Sequence, residues 1–427
     1  VGGGWAGIAA AVALTDAGRQ VTLFEAAPRL GGRARTLPWA GLEVDNGQHL
    51  LIGAYRETLS LMRRCGIDER TLLRRPLRLH MMGARPLRLT TPPLPAPLHL
   101  ATALFTAHGL RSDERQAALR LCLRMAAGRF RLRRECTVAS YLAAHRQPPE
   151  LIERLWGPLC LGAMNTPPEQ ASARCFLRVL RDTFARRRSD SDLIFPRRPL
   201  GELLPERARH HITAAGGTVR TGDRVEGLQQ ENGRITTIAT RSGRHSVDAV
   251  VVALPPEGCR RLLAPLPPLA ALAATLPRLT SAPITTLYLR YPPQVTLPEP
   301  MLGLTAGLTQ WLFDRGQLCD QPGVMAAVIS GGGAHMEYSR EQLGAAVAAE
   351  LAHLSPHWPA PEAIQVVRER RATLLCTPDA EALRPPPATP TDNLWLAGDW
   401  TATGYPATLE GAVRSGVQCA REICSGD

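Results

Sequence analysis

The chain contains no lysine; all 50 residues of the Lys/Arg class are arginine, and the formal charge of +12 rests on guanidinium groups alone. Genomic base composition produces the same bias, so the arginine count by itself is not a functional signal. Aromatic residues are scarce at 5%. With no recognised nucleic-acid module, that scarcity argues against nucleic acid as the partner of the positive charge. No run of about 18 uncharged apolar residues occurs, which excludes a predicted transmembrane helix. The ten cysteines, at 65, 122, 136, 160, 175, 259, 319, 376, 419 and 424, show neither CxxC nor zinc-ligand spacing. They read as reduced thiols of a cytoplasmic protein, with no metal site and no disulfide framework.

What is present begins with glycine. Gly2, Gly4 and Gly7 fit GxGxxG and open an apolar helical pattern, Ile8-Ala9-Ala10 followed by Val12-Ala13-Leu14. In such a loop the first glycine permits a tight turn, the second lets backbone approach a pyrophosphate, and the third lets helix and strand pack closely. The free N–H groups and positive end of the helix then bind the anion. Glu25 ends the next strand, Val21-Thr22-Leu23-Phe24-Glu25, at about the ~20-residue offset of a ribose 2′-OH ligand, which also disfavours a 2′-phosphate. A hydrophobic strand is expected ahead of the first glycine, yet the chain starts at Val1 without Met. The expectation is that several residues are missing there, so the sequence is silent on an N-terminal signal.

A chain of 427 residues is too long for one simple core, and two joined domains are expected. The pattern divides it into a nucleotide-binding segment 1–75, a substrate- and membrane-facing segment 76–200, a second nucleotide-binding segment 201–260, a second substrate segment 261–384 and a third nucleotide-binding segment 385–427. The predicted fold is α/β: a Rossmann-like parallel sheet with an interleaved α+β substrate domain. Ser330-Gly331-Gly332-Gly333-Ala334-His335 lacks the third glycine and the acidic strand end, and is read as a turn. Without a second dinucleotide loop there is no built-in NAD(P)H site.

Segment 76–200 carries proline-broken apolar stretches, Leu98 to Leu110 among them. A helical segment follows, with Leu119, Leu123 and Ala126 read as one side and Arg120, Arg124 and Arg131 as another. Basic amphipathic helices beside apolar segments suit peripheral docking on the anionic inner face of a membrane. The same pattern also fits an ordinary solvated helix face.

Arg29-Leu30-Gly31-Gly32-Arg33, Val225, Gly398-Asp399 and Thr408-Leu409-Glu410-Gly411-Ala412 resemble the motifs of the flavin amine oxidase and phytoene desaturase superfamily. The likeness extends over nearly the full length. It implies FAD, with the glycine loop (Gly2, Gly4, Trp5, Ala6, Gly7), Glu25, Ala26, Gly32, Arg33, Gly47, Gln48, Val225, Gly398, Asp399, Thr408, Leu409 and Ala412 as its binding residues. In that superfamily Arg33 lies along the pyrophosphate, the Val225 backbone faces the adenine, and Asp399 is near the ribitol. The 408–412 helix start faces the flavin pyrimidine, where its dipole favours negative charge on the reduced ring. Superfamily amine oxidases commonly place a lysine near flavin N5, which this chain cannot do.

Asp45-Asn46-Gly47-Gln48-His49-Leu50-Leu51-Ile52-Gly53, Trp156-Gly157-Pro158-Leu159, Asn165-Thr166-Pro167, Pro196 to Leu203 and Ala397-Gly398-Asp399-Trp400-Thr401 resemble, more narrowly, the hydroxysqualene dehydroxylases of squalene and hopanoid biosynthesis. That resemblance implies reductive removal of an allylic hydroxyl from a thirty-carbon isoprenoid. Hydride would come from reduced flavin N5, and an external donor would re-reduce the FAD. An apolar tunnel with one polar spot is expected, and His49 and Gln48 are the catalytic candidates for that spot. Glu410 reads equally as a cap with a dipole role or as an acid. Carotenoid-type desaturation or isomerisation is the alternative activity, and an FAD-containing isoprenoid-binding protein without catalysis is the third reading.

Overall fold

The computed structural model describes residues 1–426. One half of the molecule is built on parallel pairings. Thr218–Thr221 lies beside Thr22–Glu25, and Val250–Val252 lies beside Leu394–Leu396. Val1 and Gly2 join the two pairs. The amide of Gly2 donates to Phe24 O at 2.8 Å on one side, and on the other Ala253 N donates to Val1 O at 2.7 Å. Five segments from distant parts of the chain thus form one parallel array. Residues buried on both faces of such an array must be apolar, as Leu23, Phe24, Val250, Val252, Leu394 and Leu396 are.

Two helices cover this array. Trp5–Asp16 is alanine-rich, a composition with high helix propensity, and stops at Ala17 before Gly18, whose φ of +75° continues no helix. Leu409–Ser425 packs directly on it. Their approach depends on Gly416, where a Cβ would stand 2.1 Å from Ala6 O and 2.8 Å from Ala10 N. Gly7 plays the same part toward the sheet, since a Cβ there would lie 1.8 Å from Gly2 O.

The other half is a seven-stranded sheet in the order Ala363–Leu374, Ser281–Arg290, Val324–Ser330, Trp311–Asp314, Met301–Leu304, Arg78–Met82 and Leu87–Thr90. Strands from the 76–200 and 261–384 stretches therefore share one sheet. Helices Ser112–Ala127, Gly157–Met164 and Ala173–Phe184 pack into one apolar cluster with the Arg78–Met82 and Leu87–Thr90 strands. Helix Arg340–Leu354 packs into a second cluster with Leu287, Leu289 and Ile329. The turn read at 330–335 follows the end of a strand at Ser330 and leads into a short 3₁₀ turn, Ala334–Met336.

Helix Ser112–Ala127 buries Glu114, Ala117, Ala118, Leu121 and Met125. Leu123 is 70% exposed, and Ala126 is exposed too, in company with Arg120 and Arg124. The buried stripe thus joins alanine, leucine and methionine to a carboxylate that Arg154 meets at 3.1 Å. Among the described residues no helix is long and apolar enough to cross a membrane.

Candidate functional site

The glycine loop turns its amides outward. Gly4 is the N-cap of helix Trp5–Asp16, no side chain caps that helix, and no acidic residue stands in its first turn. The amides of Gly4, Ala6 and Gly7 find no acceptor within the chain. Beside them Gly31 donates to Gly3 O at 2.8 Å, which brings Gly32 opposite Gly4. A Cβ on Gly4 would have only the Gly32 Cα near it, at 3.9 Å. Open space, unpaired N–H groups and a positive helix end at one point form a cradle for a phosphate group. Trp5 is buried there, its Nε1 lacking a partner.

Glu25 comes to the same loop. Its carboxylate accepts from Gly3 N at 2.6 Å and from Ala27 N at 2.7 Å, which fixes the side chain while Ala26 and Ala27 stay exposed. Glu25 O accepts from Asp223 N, so the segment leading to Val225 runs alongside. Val225 is buried and starts the antiparallel pairing with Thr240.

Arg33 bridges the two halves of the molecule. One guanidinium nitrogen meets Asp399 Oδ1 at 2.7 Å, and another donates to Ala372 O at the end of the long Ala363–Leu374 strand. The Asp399 charge holds the Arg33 guanidinium above its ordinary range, against the opposing effect of burial. Asp399 follows Gly398, which has φ +157° and donates to Ser415 Oγ at 2.8 Å. A Cβ at 398 would stand 2.4 Å from Trp400 Nε1.

One partner of this site that escapes the sequence is Arg384. Only 5% exposed, it donates to the carbonyls of Asp399, Thr401 and Tyr405 and rivets the loop after Asp399. It also pairs with Glu381 at 2.6 Å, and Glu381 lies with Cys175 and Cys376 in a buried group of three metal-type ligands. Spacing gave no hint of that group. Glu410 answers the question left open above, because its carboxylate caps the neighbouring helix Arg56–Arg64, not its own. It accepts from Thr58 N at 2.9 Å and Thr58 Oγ1 at 2.8 Å, and it pairs with Arg414 at 2.8 Å. Helix Leu409–Ser425 is capped instead by Thr408, whose hydroxyl accepts from Gly411 N. The Ala412 amide is spent on Thr408 O. Ala412 can therefore offer only its methyl group to a ligand, whereas Thr408 and Leu409 stand at the helix start itself.

Gly47, Gln48 and His49 follow the strand Leu42–Asp45. Gly47 has φ +140°, and a Cβ there would be 3.6 Å from Thr286 Oγ1, a buried hydroxyl without a partner. Gln48 Oε1 accepts from Arg315 Nη1 at 2.7 Å, and Arg315 Nε donates to Gln321. His49 turns Nδ1 toward Asp45 Oδ2 at 3.7 Å, with no hydrogen bond at that nitrogen. Asp45 in turn accepts from Leu200 N at 2.8 Å. Nearby, burial and the adjoining Glu43 carboxylate raise the Glu202 carboxyl to about 7.

Two cavities lie elsewhere. One of about 240 Å³ is lined by Arg75, Arg78, His80, Arg88, Phe195 and Glu299, among others, and one of about 220 Å³ by Leu297 and Trp358 with His80 and Arg88. Both are smaller than the ~300–1,000 Å³ of ordinary small-molecule pockets, and neither touches the glycine loop, Gln48 or His49. The apolar tunnel expected from the sequence is neither of these.

Comparison with known proteins places this geometry. A family model described as flavin containing amine oxidoreductase matches residues 5–424. The hydroxysqualene dehydroxylase of Rhodopseudomonas palustris is 31% identical, over 98% of this chain and 96% of that protein. A zeta-carotene desaturase of Zea mays is 25% identical, over 99% of this chain and 82% of that protein. In fold, the crystal structure of an oxidoreductase from Methanosarcina mazei superposes with a TM-score of 0.77 at 16% identity, over 99% of this chain and 98% of that one. The cradle of open glycines and unpaired amides suits the pyrophosphate of FAD, and the chain belongs to the flavin-containing amine oxidoreductases as an FAD-dependent oxidoreductase.

Proposed function

We propose that this enzyme reductively removes the allylic hydroxyl of hydroxysqualene to give squalene, in the cytoplasm at the inner face of the membrane, with an external donor supplying electrons. The observation that carries the reading is the full-length similarity to hydroxysqualene dehydroxylases, joined to a glycine cradle with unpaired amides. FAD, when bound, supplies the hydride that replaces the departing oxygen. The chain's own residues do the rest. Gly2, Gly4, Trp5, Ala6 and Gly7 shape the phosphate cradle, and Gly32 and Arg33 close it. Glu25 and Ala26 would hold the ribose, Val225 the adenine, and Gly398 and Asp399 the ribitol, while Thr408, Leu409 and Ala412 would serve the pyrimidine ring.

For the leaving hydroxyl we assign His49 the acid role. Its Nδ1 lies toward Asp45, which leaves the other ring nitrogen as the atom that would pass a proton to the oxygen. One proton and one hydride delivered to the alcohol give alkene and water. Gln48 orients rather than reacts, because its carbonyl oxygen is held by Arg315. The reacting carbon must be kept from water once the C–O bond ionises, a task for apolar walls.

The test is incubation of the FAD-loaded enzyme with hydroxysqualene and a chemical reductant without oxygen. Squalene is the expected product. The similarity to a zeta-carotene desaturase makes desaturation the second reading, and unchanged hydroxysqualene with phytoene desaturated would select it. His49→Ala should lower turnover far more than flavin content, and a parallel loss of both would remove the acid role.

A further inference from the structure

Four of the five large apolar side chains exposed among the described residues fall between positions 94 and 123: Leu94 at 38%, Leu98 at 55%, Phe105 at 66% and Leu123 at 70%. Scattered single exposures are ordinary on any surface, whereas a concentration of them marks an interaction site. Leu98 and Phe105 are seven residues apart on helix Leu98–Thr106, two turns along one face, while His99, Ala103 and Leu104 are buried on the other. That helix has no Asp, Glu or Arg. It packs against Ser112–Ala127, where exposed Leu123 sits between Arg120 and Arg124.

The unpaired charge that follows in the chain has one sign. Arg129, Arg131, Arg133 and Arg134 follow directly, all exposed and none with a side-chain partner. The two carboxylates in the stretch are already taken. Asp113 pairs with Arg111 at 3.0 Å, and buried Glu114 is held by Arg154 and Arg85. Apolar side chains rimmed by unneutralised guanidinium groups are complementary to a layer of lipid phosphates above acyl chains. A protein partner would call for acceptors aimed at each arginine, and nucleic acid would leave the leucines and Phe105 without a use.

We propose that helix Leu98–Thr106, with the arginines of 120–134, is the surface by which this enzyme docks on an anionic bilayer. Leu98 and Phe105 enter the interface and Arg131, Arg133 and Arg134 meet the phosphates. The inference rests on the proposed lipid substrate for its purpose, since a thirty-carbon isoprenoid resides in the membrane, but its test requires no substrate.

Holoenzyme is sedimented with vesicles of phosphatidylcholine alone or with phosphatidylglycerol added. Wild type should bind the anionic vesicles, less so at high salt. Each arginine lost should weaken binding roughly five-fold, so Arg131→Gln, Arg133→Gln and Arg134→Gln together should cost about 100-fold. Leu98→Ser with Phe105→Ser should cost about as much through lost apolar insertion. Flavin content, melting temperature and turnover of detergent-dispersed substrate should stay at wild-type levels in both variants. Binding that is equal on both vesicle types, or unmoved by both variants, would overturn the proposal. So would concentration-dependent self-association that Leu98→Ser with Phe105→Ser abolishes, which would give the face to a second copy. Loss of docking with turnover intact leaves the proposed reaction standing, and docking with no turnover of hydroxysqualene leaves the surface standing.

Discussion

Substituting two glycines of the same loop should separate folding from cofactor binding. Gly4 has φ −74° and ψ 178°, a conformation any residue adopts, and its would-be Cβ meets nothing closer than 3.9 Å. Gly4→Ala should therefore leave the apoprotein nearly as stable as wild type. The loss of a glycine N-cap, about 0.5–1 kcal/mol, is offset by the reduced freedom of the unfolded chain, about 0.4–1 kcal/mol. The methyl group would occupy the space a pyrophosphate needs. Pushing that group back weakens hydrogen bonds to a charged ligand worth about 1.5–3 kcal/mol each; losing one such bond costs roughly 10- to 100-fold in affinity. Gly7→Ala differs, because its Cβ would overlap Gly2 O at 1.8 Å and no movement short of parting helix from sheet relieves that. The assay is a thermal melt of each apoprotein beside an FAD titration followed by quenching of flavin fluorescence. Gly4→Ala with wild-type affinity and an unchanged flavin spectrum would refute the placement of the pyrophosphate over this glycine.

Glu410→Ala strands the buried Thr58 amide and hydroxyl and removes the main partner of Arg414, although Asp182 remains 3.7 Å away. A destabilisation of about 2–4 kcal/mol is expected, seen as a lower melting temperature and faster flavin loss, and an unchanged melt would contradict the capping role. Gly416→Ala should be worse than ordinary overpacking at about 1–3 kcal/mol, since the obstacle is the Ala6 backbone at 2.1 Å; soluble, flavin-replete protein would be the contrary result. Glu202 has a folded pKa near 7, raised from an ordinary 4.5, so it favours the fold while protonated and that contribution fades as pH climbs from about 4.5 through 7. Glu202→Gln keeps a neutral side chain at every pH, so its melting temperature should gain on wild type between pH 5 and pH 8. A pH-independent difference between the two proteins would count against the coupling of Glu202 to Glu43.

The nucleotide site could be read early because each of its parts is local: glycines at 2, 4 and 7, a carboxylate at a strand end, and a glycine–aspartate turn before a helix. Such signals depend on backbone conformations that few residues allow. What the sequence hid is whatever depends on distant partners. Glu410 finds Thr58 across 352 residues, Arg315 holds Gln48 across 267, and Arg384 serves three carbonyls that have no sequence signature. The buried face of helix Ser112–Ala127 depends on distant partners too. It is alanine, leucine, methionine and Glu114, and the burial of that carboxylate is intelligible only once Arg154 and Arg85 stand beside it.

The parallel array at the centre of the nucleotide half draws its members from the first residues of the chain, from around 22, 218 and 250, and from 394 onward. On the ribosome this means that the glycine loop emerges long before helix Leu409–Ser425, which packs on the helix that the loop opens. Contacts so remote in sequence form slowly, and the alanine face of Trp5–Asp16 stays uncovered in the meantime, a hazard for aggregation. Flavin capture should accordingly wait for helix Leu409–Ser425, and nascent chains arrested before Leu409 should be yellow only at FAD concentrations far above those that saturate the finished enzyme.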